Sequence, residues 1–339
     1  GNLLLDTPGV GWLAVLGVYG ASCLVCLPAI ACLLPLWTWR WRSLLPLAGT
    51  VALYLWAPAP YPANGDAHHV ALIQPNIPQS EKWRSDLVAQ HMRKLAALTL
   101  AAQPAELVVW PEAAVPFFPS RAPQWTHWLR GQARHWQGDF LFGGLKLLGG
   151  RRVQNGLYLW TVQGGEKFSP KRHLVPFGEY VPAWLPWLHK LVPDIGDFQP
   201  GRSAGVLAGK HGRYGTLVCY ESIFPEEARA RVRNGANVLV VVTNDAWYGH
   251  SPAAWQHFQA ARARAVETGR FVLRSGNTGI TAIIGPDGRV QQGMRWWTAG
   301  SVRGTYRLSD VVTPYQRLGD SILACMLLIG GMIYWRTRA

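Results

Sequence analysis

At 339 residues the chain is long enough for one large domain or two small ones. Only 15% of it is charged, and it carries 18 tryptophans, which argues against an ordinary soluble protein and for membrane segments joined to a water-facing part. The formal charge of +14 does not make it a nucleic-acid binder, because the basic residues are scattered and form no long run and no nucleic-acid motif. They leave either a basic face towards anionic lipid headgroups or simply a basic surface.

The chain opens at Gly1 with no basic-start signal peptide, so N-terminal sequence is expected to be missing. Residues 7–39 hold no Asp, Glu, Lys or Arg. Within them about 12–37 exceeds the roughly 20 residues that cross a bilayer. A second span is expected over about 43–60 and a third within 318–336. This division makes 1–65 a membrane segment, 66–310 a water-facing domain and 318–336 a C-terminal transmembrane helix. Arg40 and Arg42, then Arg336 and Arg338, mark cytoplasmic flanks, which puts the large domain outside.

Past the Pro-rich connector Pro58–Asn64, Val70–Ile73 reads as a buried strand, 87–102 as a helix and 106–110 as a second strand. Further strands are expected at 140–144, 157–160, 216–219, 238–242, 271–275 and 281–284. Helices are expected at 225–234 and 255–268, and Pro286-Asp287-Gly288 marks a turn. Apolar strands alternating with helices predict an α/β domain with covered sheets.

Cys23, Cys26, Cys32 and Cys325 fall in uncharged apolar runs; Cys219 alone lies outside them. A lone thiol at the end of the strand Gly215–Val218 is either a small buried hydrophobe or a nucleophile in need of a base. Glu112 follows a buried strand through Trp110-Pro111, where an apolar setting suits a general base. Lys171 offers a fixed positive charge for an oxyanion, and Glu179 a group to orient it. His173, next to the same motif, leaves a Cys–His arrangement open. Gly205–His211 is too short for a phosphate loop, and His250 and His257 lack metal-ligand spacing. No dinucleotide fingerprint appears. Neither cofactor nor metal is expected.

Glu112, Lys171 and Cys219, in that order, resemble the Glu-Lys-Cys set of the carbon-nitrogen hydrolase (nitrilase) superfamily. His173–Pro182, Asn244–Gly249, Gln256-His257 with the Ala/Arg-rich helix to Glu267, and Leu273–Ala282 further resemble the apolipoprotein N-acyltransferases. The resemblance runs from about Val70 to Gly288. It implies a nitrilase-like αββα sandwich flanked by transmembrane helices, though the family usually has more spans before this domain. It also implies transfer of a fatty acyl chain from a phospholipid, through a Cys219 thioester, to the α-amino group of a diacylglyceryl-cysteine lipoprotein. Glu112 would be the base and Lys171 the oxyanion stabiliser. Glu179, Tyr220, Glu221 and Trp83 would support the site or place substrate, with Trp83 equally open to a packing role, and Asn244 and Asp245 would cap loops.

The implied setting is a multi-pass monomer of the bacterial inner membrane. Its catalytic domain would face the periplasm, and the bilayer, a phospholipid donor and a diacylglyceryl apolipoprotein acceptor would be its partners; nucleic acid would not. Trp184, Leu185, Trp187 and Leu188 are expected to dip into the interface or to pack on the domain. A membrane-anchored amidase with water as acceptor, and a non-catalytic membrane scaffold, are the competing readings.

Overall fold

The computed structural model describes residues 2–38, 45–149, 152–161, 165–182 and 198–325, with residues 328, 332 and 335. The expected interfacial loop with Trp184, Leu185, Trp187 and Leu188 lies outside the described residues. So do the flanking arginines 40, 42, 336 and 338 and much of the expected C-terminal span.

In chain order the elements are α1 (Trp12–Thr38), α2 (Leu45–Leu55), β1 (Ala67–Gln74), α3 (Val88–Ala101), β2 (Leu107–Trp110), α4 (Pro123–Trp136), β3 (Asp139–Gly149), β4 (Arg152–Trp160) and β5 (Glu166–Pro170). They continue with β6 (Val206–Ala208), β7 (Arg213–Val218), α5 (Pro225–Arg233), β8 (Val238–Thr243), α6 (Pro252–Thr268), β9 (Val272–Gly276), β10 (Thr281–Ile284), β11 (Val290–Met294), β12 (Gly300–Arg307) and α7 (Pro314–Leu318). The strands form two six-stranded sheets, ordered β12-β1-β2-β3-β4-β5 and β11-β10-β9-β8-β7-β6. Each has a parallel centre, β1-β2-β3 and β7-β8-β9, with antiparallel strands outside it. The short strands β5, β6 and β11 and the long β12 carry weak alternation, and sequence patterning passes over them.

Side-chain alternation builds the layers. Leu107 and Val109 point between the sheets with Leu141, Leu159, Val240, Leu273 and Ile283. Val108 and Trp110 turn outward with Phe140 and Phe142 against Met92, Leu95 and Trp136 of α3 and α4. Leu239 and Val241 face Ala228, Phe258, Ala261 and Ala265 of α5 and α6. Period-2 strands buried on both faces thus give helix, sheet, sheet, helix. Truncating a core aromatic such as Trp110 or Phe140 to alanine is expected to cost about 3–5 kcal/mol.

Among the described residues one helical segment, Pro8–Cys26, is long and apolar enough to cross a membrane by length and composition. Part of its surface packs on the domain, with Leu13, Ala14 and Ala21 against Ala263 and Val266. The helix is interrupted at Gly17, whose φ is +66° and whose missing side chain leaves room for the Tyr315 ring. The Val18 N–H donates there to Glu267 at 2.7 Å. Among its described residues the second expected span is helical over Leu45–Leu55. At 1.5 Å per residue that is about 16 Å, roughly half a hydrocarbon core. Pro58, Pro60 and Pro62 follow it and hold the connector out of the helix.

Candidate active site

The parallel centres of both sheets deliver their carboxyl ends to one place. β2 ends at Trp110, and Pro111 turns the chain so that Glu112 sits over the sheet, 8% exposed. Gly143 of β3 passes beneath; a side chain there would meet Pro111 O and the Glu112 backbone at 2.5–2.6 Å, so only glycine allows the approach. Asn155 Nδ2 donates to Glu112 Oε1 at 2.9 Å and the Asn244 N–H to Oε2 at 3.0 Å.

Lys171 directly follows β5 and is 1% exposed. Its Nζ lies 2.8 Å from Glu179 Oε2 and 3.8 Å from Glu112 Oε1. Burial alone would lower its pKa, but the negative charge of Glu112 and Glu179, joined by the Cys219 thiolate when it forms, outweighs it and holds the ammonium above its usual range. Asn155 also donates to Glu179 at 3.1 Å, bridging the two carboxylates. Glu179 Oε2 in turn accepts from the Val175 N–H at 2.8 Å.

Cys219 directly follows β7 and opens a short 3-10 turn, Cys219–Ile223, with φ at +48°. A non-glycine residue in that region is held there by its surroundings. Its carbonyl accepts from Ser222 Oγ at 2.9 Å and from His257 Nε2 at 2.9 Å. Burial, then the charge of Glu112, pushes the thiol up to about 12, against opposing help from Lys171 and the Thr243 hydroxyl. Cys219 therefore rests as a thiol with a carboxylate and an ammonium beside it, and a thiol so placed needs its proton removed before the sulfur can act as a nucleophile.

The remaining sequence-selected residues separate. Glu221 is fully buried. It accepts from the Val218 N–H at 2.8 Å, from the Arg172 N–H at 2.8 Å and from Arg231 at 2.8 Å, tying the segment after Lys171 to the cysteine turn. Tyr220 meets Phe224 edge-on, and the His173 ring stacks on Phe224 with centroids 3.7 Å apart. Trp83 is 49% exposed.

The histidine in contact with Cys219 is His257. Its Nδ1 lies 2.9 Å from Asp245, so it addresses the cysteine carbonyl and the Asp245 carboxylate. Asp245 accepts as well from Arg274 at 2.7 Å and Thr243 at 2.7 Å. Cys219, Asp245 and His257 present ligand atoms within 4.8 Å of one another, but the Arg274 guanidinium already neutralises the carboxylate and disfavours a cation there.

Two contributors escaped the sequence reading. Asn155 sits beside a second amide, Gln154, in β4, and nothing local distinguishes it. Lys82, 4% exposed, donates to Glu112 O at 2.9 Å, and burial lowers its pKa to about 8; its only local sign is a lysine beside Trp83. Asn244, read as a loop cap, bonds Glu112 directly and also donates to Gln79 at 2.7 Å.

Residues 69–313 match the carbon-nitrogen hydrolase family. The chain is 40% identical over 269 residues to the apolipoprotein N-acyltransferase of Geobacter metallireducens, covering 76% of this chain and 51% of that one. It is 35% identical over 350 residues to the apolipoprotein N-acyltransferase of Nitrosomonas europaea, covering 96% of this chain and 68% of that one. It thus spans between about half and two thirds of the length of these curated relatives. Among solved structures it is similar to a carbon-nitrogen hydrolase from Helicobacter pylori, with a TM-score of 0.57 at 14% identity over 71% of this chain and 89% of that one. That likeness shows the α/β sandwich of the nitrilase type.

Proposed function

The chain belongs to the carbon-nitrogen hydrolase family, among the apolipoprotein N-acyltransferases, and from that premise we propose that it moves a fatty acyl chain from a phospholipid to the α-amino group of a diacylglyceryl-cysteine lipoprotein. The observation that carries this reading is the buried Lys171–Glu112 approach of 3.8 Å beside Cys219. It supplies a base, a cation and a nucleophile within interaction range of one another.

Glu112 takes the Cys219 proton as the sulfur attacks the donor ester carbonyl. The negative oxygen that forms is stabilised by Lys171. Collapse breaks the ester C–O bond, and Glu112 returns the proton to the leaving lysophospholipid oxygen, so the acyl group rests as a thioester on Cys219. The acceptor amine then attacks the thioester, Glu112 removes its proton, and the amide leaves with Cys219 restored as a thiol. Splitting one barrier into two in this way requires ping-pong kinetics.

Glu179 and Asn155 position Lys171 and Glu112; Glu221 orders the turn, and Tyr220 and Trp83 line the approach. The apolar segments of residues 1–65 and 318–336 are the membrane spans, with the domain on the periplasmic side of the inner membrane and the enzyme acting as a monomer. Pro8–Cys26 supports the first of these spans.

The test is intact mass spectrometry of the full chain mixed with phospholipid and no acceptor. A fatty-acyl adduct on Cys219 is expected, discharged by a diacylglyceryl peptide with a free amine and absent from C219A. An adduct discharged equally fast by water, with ammonia released from small amides, would replace this reading with an amidase.

A further inference from the structure

Away from Cys219, at the ends of β1 and β2 where their chains enter the first sheet, three side chains meet. His68 lies in β1, Glu106 immediately precedes β2, and His211 sits in the turn between β6 and β7 of the other sheet. His68 Nδ1 and His211 Nδ1 lie 3.2 and 3.1 Å from the same oxygen, Glu106 Oε1. The three ligand atoms fall within 4.8 Å of one another. We propose that His68, Glu106 and His211 form a site for a zinc-class divalent cation that clamps the two sheets together at the end of the sandwich remote from the reaction.

The donor set chooses the class of ion. Two imidazole nitrogens and one carboxylate oxygen suit zinc and its neighbours better than calcium or magnesium, which take oxygen. A tetrahedral ion with bonds of about 2.0–2.2 Å holds its donors roughly 3.3–3.6 Å apart. The observed 3.1 and 3.2 Å from each imidazole to Glu106 Oε1 lie within a few tenths of an ångström of that separation, and the two imidazole nitrogens are within 4.8 Å of each other. The side chains are 16%, 35% and 12% exposed for His68, Glu106 and His211, leaving a fourth position open to water.

The ligands are also held in place. Glu106 uses Oε2 to accept the His69 N–H at 2.7 Å, which turns Oε1 towards both rings. The His211 backbone is pinned on both sides: its N–H donates to Asp139 Oδ2 at 3.1 Å and its carbonyl accepts from Tyr306 OH at 2.9 Å. The Tyr306 ring lies against His68, with centroids 5.6 Å apart. Asp139 is fully buried, and its Oδ1 has no partner among the described residues, so it adds negative potential behind His211.

Glu106 and Glu112 flank the same strand, about 20 Å apart at 3.3 Å per residue. The ion therefore belongs to the frame and takes no part in the reaction. Without it, Glu106 accepts two imidazole N–H bonds in the same geometry, and the experiment must tell the two states apart.

The full chain, with any polyhistidine tag removed, is stripped with chelator and titrated with Co²⁺ at pH 7.5. One equivalent is expected to give the visible spectrum of a tetrahedral ion, with no thiolate charge-transfer band, and to be displaced by Zn²⁺. C219A keeps that spectrum, which separates the site from the Cys219–Asp245–His257 group. H68A and H211A lose it, and E106Q, close in shape to the parent side chain but without its charge, loses or weakens it as well, which keeps the test open if either histidine variant fails to fold. Y306F binds roughly tenfold more weakly, as outer-shell changes do. Saturating Zn²⁺ raises the Tm of the parent chain and leaves H68A and H211A unmoved. Absence of the one-equivalent spectrum, or its survival in both histidine variants, overturns the proposal.

Discussion

On one side of Cys219 stand Glu112, Lys171, Glu179 and Asn155; on the other stand His257, Asp245, Arg274, Thr243 and Ser222. Both groups are buried and both contain acids and bases. On the first side the Lys171–Glu112 separation is 3.8 Å, longer than a hydrogen bond, and the thiol is left protonated. A proton and a negative charge have somewhere to go. On the second side Asp245 meets three donors at 2.7–2.9 Å and His257 spends both nitrogens on fixed acceptors or partners. Nothing there is free to move. On the proposed reactive side the acid and the cation stand apart, while on the other Asp245 is held by three donors, although Arg274 keeps one nitrogen, Nη1, without a partner among the described residues.

The sharpest way to break this contrast is to remove one charge from the reactive side. E112Q is expected to cut acyl transfer by about 10²–10⁴, the usual worth of a general base. K171M should cost about 10²–10³ through the oxyanion. The two must act on the thiol with opposite signs. Burial and then Glu112 raise the Cys219 pKa to about 12, and Lys171 opposes them. The pH profile of alkylation by iodoacetamide should therefore shift to lower pH in E112Q and to higher pH in K171M. Profiles moving together would show that neither charge faces the sulfur.

The saturated side answers in stability. Burial disfavours ionised Asp245, yet Arg274, His257 and Thr243 outweigh it and hold its carboxyl far below the usual range. D245N leaves the fully buried Arg274 without its counter-charge, an expected loss of about 3–5 kcal/mol. At about 2–4 °C per kcal/mol for a domain of this size, that is roughly 10 °C in Tm. The sign with pH follows from a depressed carboxylate. Its contribution is present above the ordinary value of about 3.9 and disappears as the pH falls through the lower folded value. Below pH ~4 the parent chain should lose stability more steeply than D245N. A D245N chain with unchanged Tm and abolished acylation would move Asp245 to the reactive side.

This division also explains what could be read in advance. Val108-Val109-Trp110 and Val238–Val242 announce themselves as strands, and Glu112 and Cys219 stand out because each follows such a run. Asn155 does not. It reaches Glu112 and Glu179 only because β4 pairs with both β3 and β5, and inter-strand register leaves no trace in the spacing of one strand. His257 lies 38 residues from the Cys219 carbonyl it holds, so the turn's rear support is a product of packing α6 on β7–β9. The break at Gly17 is likewise a tertiary event: Tyr315 occupies the room and Glu267 takes the freed amide.

The smallest expected effect falls beside Glu112, where two adjacent residues part company. Lys82 turns inward to the Glu112 carbonyl, while Trp83 remains 49% exposed. Replacing Lys82 by methionine strands a buried acceptor, an expected loss of about 1–3 kcal/mol. W83A removes a ring that already meets water, and surface changes of that kind stay within about 0.5 kcal/mol. If Trp83 guides the acyl chain, W83A raises the KM for phospholipid while its Tm stays at the parent value. If it is a packing residue, its Tm falls towards that of K82M and the KM is unchanged. Measuring both variants side by side separates the two outcomes, because a ring that shapes substrate entry and a ring that supports the fold cannot fail in the same column.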